Sequence, residues 1–285
     1  MDREISRILV VGGGLLGTSF ALAVHRACPS LVVECVEPNP EHRARLIQHA
    51  AIAHVYDDVR HIEGEYDLAV LAAPPDVCIA YLQDVARCAS IVIDVCSVKQ
   101  AICQAAEELR LRGQFVPSHP MAGKAIEGPR AADGDLFRDR PWIFLEDWAP
   151  PARVVALVER IGARVTIIPS AEAHDAMIAC VSHGIHVTSL AAMLASDDKR
   201  RQAYPSLEQV SGPAFWDITR LASSPSAFWA DTLLQNRENV VSYLQTLREQ
   251  IAKFEEAMRS QDREHLVDLL NRSRLARETW ESSRP

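Results

Sequence analysis

The segment Gly12-Gly13-Gly14-Leu15-Leu16-Gly17 constrains this chain more than any other. An apolar run at residues 8–11 precedes it and an amphipathic stretch at 15–26 follows. Strand, glycine loop and helix in that order open a parallel α/β sheet, whose strands are joined by crossover helices. Gly12 permits the tight turn, Gly14 lets the backbone approach a phosphate, and Gly17 lets the helix pack close to the strand. The loop also aims the unpaired N–H groups of the helix N-terminus at an anion.

The same alternation continues downstream. It predicts strands at 31–36, 67–72, 91–94 and 114–116, and helices at 40–49, from Pro74-Pro75, and at 98–112. Later strands at 142–145 and 164–168 flank a helix at 152–161. After Pro169 the texture becomes helical to the end, with residues 204–213 the most loop-like part. The expected division is therefore 1–169, a dinucleotide-binding domain, and 170–285, a helical domain, with Ser170 capping a long helix that runs toward Ser196. The fold class is α/β: a Rossmann-type parallel sheet followed by an all-α C-terminal domain.

Bulk properties remove several classes of function. The formal charge of -8 argues against a nucleic-acid partner, which would call for a basic face. Seven cysteines, odd in number and without a CxxC pair, point to neither a metal site nor a disulfide framework and fit reduced thiols in the cytoplasm. No uninterrupted apolar run approaches the ~18 residues that suggest a membrane span, so no membrane partner is expected. The charged N-terminus shows no signal-peptide pattern.

Glu37 follows Gly17 by 20 residues, at the end of the second predicted strand. A carboxylate there accepts the two ribose hydroxyls of NAD and repels the phosphate of NADP. Gly12, Gly14, Leu15, Leu16, Gly17 and Glu37, with Ala73 and Pro74 at the end of the third strand, form the expected cofactor set, and NAD the expected cofactor. Arg43 and Arg45 keep NADP open, and a loop for another nucleotide such as S-adenosylmethionine is the blander reading.

Two further strand ends reach the same edge of the sheet. Asp94-Val95-Cys96-Ser97-Val98-Lys99 ends the fourth strand, and Ser118-His119-Pro120-Met121-Ala122-Gly123 follows the fifth. Ser97 alone reads equally as a helix cap, Lys99 as a first-turn surface lysine, and His119 as a loop residue. Together they place a hydroxyl and an imidazole beside the cofactor, and histidine suits proton removal at neutral pH.

These strings, with Asp135-Leu136-Phe137, Ala173-His174-Asp175, Ser182-His183 and Phe215-Trp216-Asp217-Ile218-Thr219-Arg220, are colinear over nearly the whole chain. They resemble the prephenate/arogenate dehydrogenase family. The resemblance implies NAD-dependent oxidative decarboxylation of a cyclohexadienyl acid, with prephenate or arogenate as substrate. It implies His119 as the base, Ser97 as its helper, and Arg220, His183 and His186 as substrate-binding residues, with Lys99 a local cation and His174 structural. It also implies a homodimer through the helical domain. The broad apolar band Phe228, Trp229, Leu233, Leu234, Val240, Val241, Tyr243, Leu244, Leu247, Ile251 and Phe254 agrees, with Asn236, Arg237 and Glu238 in a solvated or interfacial strip.

The chain departs from the family at three places. Gly184-Ile185 stands where Leu-Pro is common between the two histidines, Cys96 replaces a small residue, and Ala125 stands where relatives carry an acid. Three alternatives follow. A 4-amino analogue of prephenate fits the same chemistry. A β-hydroxyacid dehydrogenase would want a lysine that residues 174–196 lack. A non-catalytic NAD sensor would need none of these side chains.

Overall fold

The computed structural model describes residues 4–124, 126 and 128–283. Six parallel strands form the first sheet: β1 (Arg7–Val11), β2 (Val32–Val36), β3 (His54–Tyr56), β4 (Leu68–Leu71), β5 (Val92–Asp94) and β6 (Phe115–Val116), in the order β3-β2-β1-β4-β5-β6. Helices α1 (Leu15–Ala27), α2 (Pro40–Leu46), α3 (Pro75–Cys88) and α4 (Gln100–Glu108) make the crossovers. Alternate residues of one strand feed two cores. Ile8 and Val10 pack with Phe20, Val24 and Trp142, while Leu9 and Val11 pack with Leu82, Val85 and Phe115. A sheet covered on both faces needs apolar side chains pointing both ways, so its central strands read as continuous apolar runs. β3 escaped the sequence reading because it is a three-residue edge strand with a polar start.

A second sheet contains β7 (Ser118–Pro120), β8 (Pro141–Leu145) and β9 (Arg164–Ile168). β7 runs antiparallel to β8, and β8 parallel to β9, which is reached through α5 (Ala152–Arg160). His119, expected just past a strand, lies inside β7 opposite Ile143.

The helical region begins as expected at Ser170, whose hydroxyl accepts from the Ala173 amide at 3.3 Å. It comprises α6 (Ala171–Ile178), a π-turn (Ala179–His183), α7 (Gly184–Gln202), α8 (Pro213–Thr219), α9 (Ser226–Gln235), α10 (Arg237–Arg259) and α11 (Arg263–Ser282). Met1–Arg237 forms one compact unit and Glu238–Pro285 a second.

By length and composition, the stretch Ala171–Gln202 is apolar enough to cross a bilayer. Run lengths did not anticipate this, because Ser, His, Gly and Thr break the runs without adding charge. Its covered face, however, carries polar groups beside apolar ones: His174, Asp175, His183, His186 and Ser189 are buried along with Ala171, Ile178 and Ala179. Apolar Met177, Val181, Ile185 and Leu194 are exposed. In the second unit Val241, Ile251, Met258, Val267, Leu270, Leu275 and Trp280 are likewise exposed.

Candidate active site

The strand order reverses between β1 and β4, and the glycine loop sits at this switch point, where open α/β sheets bind their ligands. Gly12 has φ +108°, and a Cβ there would lie 2.6 Å from the Ala72 carbonyl oxygen and 2.8 Å from the Ala73 nitrogen. A Cβ on Gly17 would collide with the Gly12 carbonyl. Gly14 differs, because a Cβ there meets no atom within 4 Å. The face of the loop before α1 is therefore open. No side chain caps that helix, and its first turn, which starts at Leu15 and Leu16, holds no acid. An uncapped N-terminus behind an open glycine fits a dinucleotide pyrophosphate.

Glu37 is buried against the same loop. Its Oε2 accepts from the Gly13 amide and its Oε1 from the Asn39 amide, both at 2.9 Å. A carboxylate held in this place suits a ribose diol. Arg43 is anchored beside this carboxylate, its Nη1 donating to the carbonyls of Glu37 and Pro38 at 2.9 and 2.6 Å. Pro74 is exposed just before α3.

A buried ion pair joins the two strand ends that carry the candidate chemistry. Lys99 and Asp94 are fully covered and bonded to each other. Lys99 Nζ also donates to the Ser118 carbonyl at 2.8 Å, and Asp94 accepts from the amides of Cys96 (2.9 Å) and Ser118 (3.0 Å). Lys99 is thus not a surface lysine but a buried local cation matched by Asp94. Burial pushes its ammonium down, but Asp94 outweighs that and holds it above the ordinary value. Ser97 is not a helix cap either. Lys99 occupies the cap position of α4, and Ser97 Oγ is buried with no partner among the described residues.

His119 is only 7% exposed, and its Nδ1 lies 3.0 Å from His174 Nε2. His174 Nδ1 in turn lies 2.8 Å from Asp175 Oδ1. The Asp175 carboxylate also accepts from the amides of Lys99 (2.8 Å) and Gln100 (3.0 Å) at the start of α4. Burial, followed by the neighbouring His174, Lys99 and His183, pushes His119 well below the ordinary imidazole range. Burial would raise Asp175, but His174 and the two amides hold it down as a carboxylate.

The π-turn explains how His183 and His186 come to the same face. In an uninterrupted α-helix Ser182, seven residues after Asp175, would continue its face in place of His183, since an α-turn advances 3.6 residues. The wider turn takes up one extra residue, so His183 is buried in that place, and His186, three residues on, shares its face while Ile185 is 44% exposed. Gly184, the departure from the family pattern, is buried at the exit of this turn.

Asn236, just past α9, was expected in a solvated or interfacial strip and is buried within the chain. Its Nδ2 donates to the Asp175 carbonyl at 2.8 Å and lies 3.0 Å from His183 Nδ1. Trp229, expected in the apolar band, also packs on this cluster. It stacks on His186 with ring centroids 3.5 Å apart and planes at 10°. His183 Nε2 and His186 Nδ1 are buried without partners among the described residues. Burial pushes both imidazoles to about 4.

Arg220 stands apart, exposed at the start of the turn Arg220–Ser223, with no hydrogen bond to this cluster among the described residues. Ala125 lies outside the described residues.

Residues 20–167 match the family model described as prephenate dehydrogenase, nucleotide-binding domain, and residues 170–272 the one described as prephenate dehydrogenase, dimerization domain. The chain belongs to the prephenate dehydrogenase family. It is 30% identical to the cyclohexadienyl dehydrogenase of Zymomonas mobilis, over 95% of this chain and 94% of that protein. It is 27% identical to the prephenate dehydrogenase of Bacillus subtilis, over 93% of this chain and 74% of that one. The prephenate dehydrogenase from A. aeolicus, solved in complex with hydroxyphenyl propionate and NAD+, shares the fold with a TM-score of 0.86 at 24% identity, covering 98% of this chain and 99% of that one. The chain is thus a dehydrogenase of this family with a nucleotide-binding domain. The glycine loop precedes the matched span, so its assignment as the cofactor cradle rests on the geometry given above.

Sequence reasoning placed His119, Ser97 and the glycine loop at one edge of the sheet; the loop and Ser97 follow β1 and β5 of that sheet, whereas His119 lies in β7 of the second, tied to the end of β5 through Ser118 and Asp94. It missed the network behind His119. The available signal was Ala173-His174-Asp175, an adjacent imidazole and carboxylate on a helix with few other charges.

Proposed function

We propose that this enzyme oxidatively decarboxylates a cyclohexadienyl acid, with prephenate the first candidate and arogenate the second. The observation that carries the reading is His119. Its Nδ1 is engaged by His174, its Nε2 has no partner among the described residues, and its environment keeps the ring neutral. A neutral imidazole with one free nitrogen at the cofactor edge is a general base for a hydroxyl proton. NAD, when bound, supplies the hydride acceptor. His119 takes the proton of the ring hydroxyl at Nε2, while Ser97 Oγ, buried and otherwise unpartnered, hydrogen-bonds the same oxygen. The ring carboxylate then leaves as carbon dioxide, driven by aromatisation.

His183 and His186, neutral near pH 7, serve as hydrogen-bonding groups for substrate oxygens rather than as cations. Arg220 is then the cation that pairs with a substrate carboxylate, since a guanidinium matches that anion with two parallel bonds. The chain divides into a dinucleotide-binding domain, 1–169, and a helical substrate and dimerisation domain, 170–285. Two chains pair through the apolar residues left exposed on α10 and α11, in keeping with the family's dimerization domain. The cysteines, unpaired among the described residues and mostly buried, support a reducing cytoplasmic setting.

The test is NADH formation with NAD plus prephenate and, in parallel, NAD plus arogenate. Turnover of one or both is expected. Silence with both by a protein that still binds NAD would sink the substrate assignment and turn attention to the 4-amino analogue.

A further inference from the structure

Two imidazoles in this site are held by partners of opposite character, and both sets of partners converge on Asp175. An ionised carboxylate can only accept hydrogen bonds, so His174 Nδ1, 2.8 Å from Asp175 Oδ1, must carry a proton. A neutral imidazole has a single N–H, which leaves His174 Nε2 as an acceptor. The atom facing it at 3.0 Å, His119 Nδ1, must therefore donate. His119 is left with its lone pair on Nε2.

The second path starts from the Asp175 backbone carbonyl, which also can only accept. The Asn236 atom 2.8 Å away is therefore the amide nitrogen, which fixes the orientation of that side chain. The other hydrogen of the amide points to His183 Nδ1 at 3.0 Å, so that nitrogen accepts. His183 is left with its proton on Nε2, an atom that is buried and has no partner among the described residues.

We propose that Asp175 sets opposite tautomers on the two site histidines, through His174 for His119 and through Asn236 for His183, so that one presents a lone pair and the other an N–H. His174, Asp175 and Asn236 are then positioning residues, and His183 a donor matched to a carbonyl or carboxylate oxygen of the substrate. The assignment extends the reading of His119 as the base and rests on it. As the substrate O–H breaks, a new N–H forms on His119 Nε2, and the positive charge of the His119–His174 pair faces the buried Asp175 carboxylate. The other charged or titratable groups around His119 are Lys99, paired with Asp94, and His183.

The experiment is nitrogen NMR of the histidine-labelled full chain with NAD bound, read alongside kinetics. In the wild type, His119 is expected with Nδ1 protonated and His183 with Nε2 protonated. His174→Leu removes the acceptor from His119 Nδ1. It should move that proton to Nε2 and lower kcat about 100-fold, with NAD affinity unchanged. His174→Gln keeps an acceptor oxygen and should recover most of the loss, which a purely space-filling role would not require. Asn236→Asp offers only acceptor atoms and should shift the His183 proton to Nδ1, raising the substrate KM more than it lowers kcat.

A wild-type spectrum with the His119 proton on Nε2 overturns the proposal without any variant needing to fold. So does a His174→Leu enzyme whose His119 tautomer and turnover are unchanged. If the wild type oxidises neither prephenate nor arogenate yet shows both tautomers, the substrate assignment fails and the tautomer assignment stands.

Discussion

The glycine loop is built from one contiguous stretch, Gly12 to Gly17, and works through backbone. The histidine cluster draws on separate segments: 94–99, 118–119, 174–186 and 229–236. The loop is shaped by what cannot fit, since a Cβ at Gly12 or Gly17 would strike backbone. The cluster is shaped by what must be paired, since Asp94, Lys99, His174, Asp175 and Asn236 are all buried polar groups with partners. Steric exclusion is local and tolerant of changes elsewhere. A buried polar network is cooperative, because removing one member leaves another without its hydrogen bond.

The difference can be broken from either side. The largest effect is expected at the base. His119→Asn should lower kcat by a factor of ~10²–10⁴ while leaving NAD affinity nearly intact, measured by turnover and by NAD titration. A loss of affinity as large as the loss of turnover would mean that the two ends are not separable.

Next comes Lys99→Met, which strands the buried Asp94 charge. Breaking a buried pair in this way costs about 3–5 kcal/mol, so Tm should fall by roughly 10 °C or more. Adding Asp94→Asn should return part of it, and no recovery in the double variant would argue against the pair as the source.

Gly14→Ala is the sharper test of the loop. Its Cβ meets nothing in the structure, so Tm should hold. It would project into the open cradle, so the NAD Kd should rise at least tenfold, or about 1.4 kcal/mol. An unchanged Kd would place the pyrophosphate elsewhere.

The smallest effect is a slope in acid. Burial depresses His183 and His186 from 6.5 to about 4 in the folded protein, so the unfolded chain binds more protons between those values. Their contribution to stability is complete above about pH 6.5 and is lost as pH falls toward 4. Replacing both by Gln should flatten the fall of Tm in that window, and an unaltered slope would assign it to other groups. The acid limb of kcat/KM should likewise lie below the ordinary histidine value, because His119 is depressed as well.

How much of this was legible from the chain varies with the kind of force involved. β1, α1, β4 and β8 were readable because each buries a periodic set of apolar residues that local sequence displays. β3 was not, because an edge strand needs only one partner and shows little pattern. Ser97 and His119 were legible as chemistry, but each was open to a bland local reading until Lys99 was seen to be fully covered and Ser97 Oγ to cap nothing. The burial of Lys99 and Asn236 was not legible for one reason: whether a polar side chain faces solvent depends on residues far away in sequence.

By itself, the sequence determined the parallel sheet, the glycine cradle, the edge that receives Ser97 and His119, and the helical character of everything after Pro169. Apolar periodicity and glycine sterics act over a few residues, and a linear chain records them directly. Only the tertiary structure decided which nitrogen of each histidine is free, because a tautomer is set by the atom opposite it. For His119 that atom belongs to His174, 55 positions away, and for His183 to Asn236, 53 positions away. The π-turn that brings His183 to Asn236 shows up only once the helix is packed.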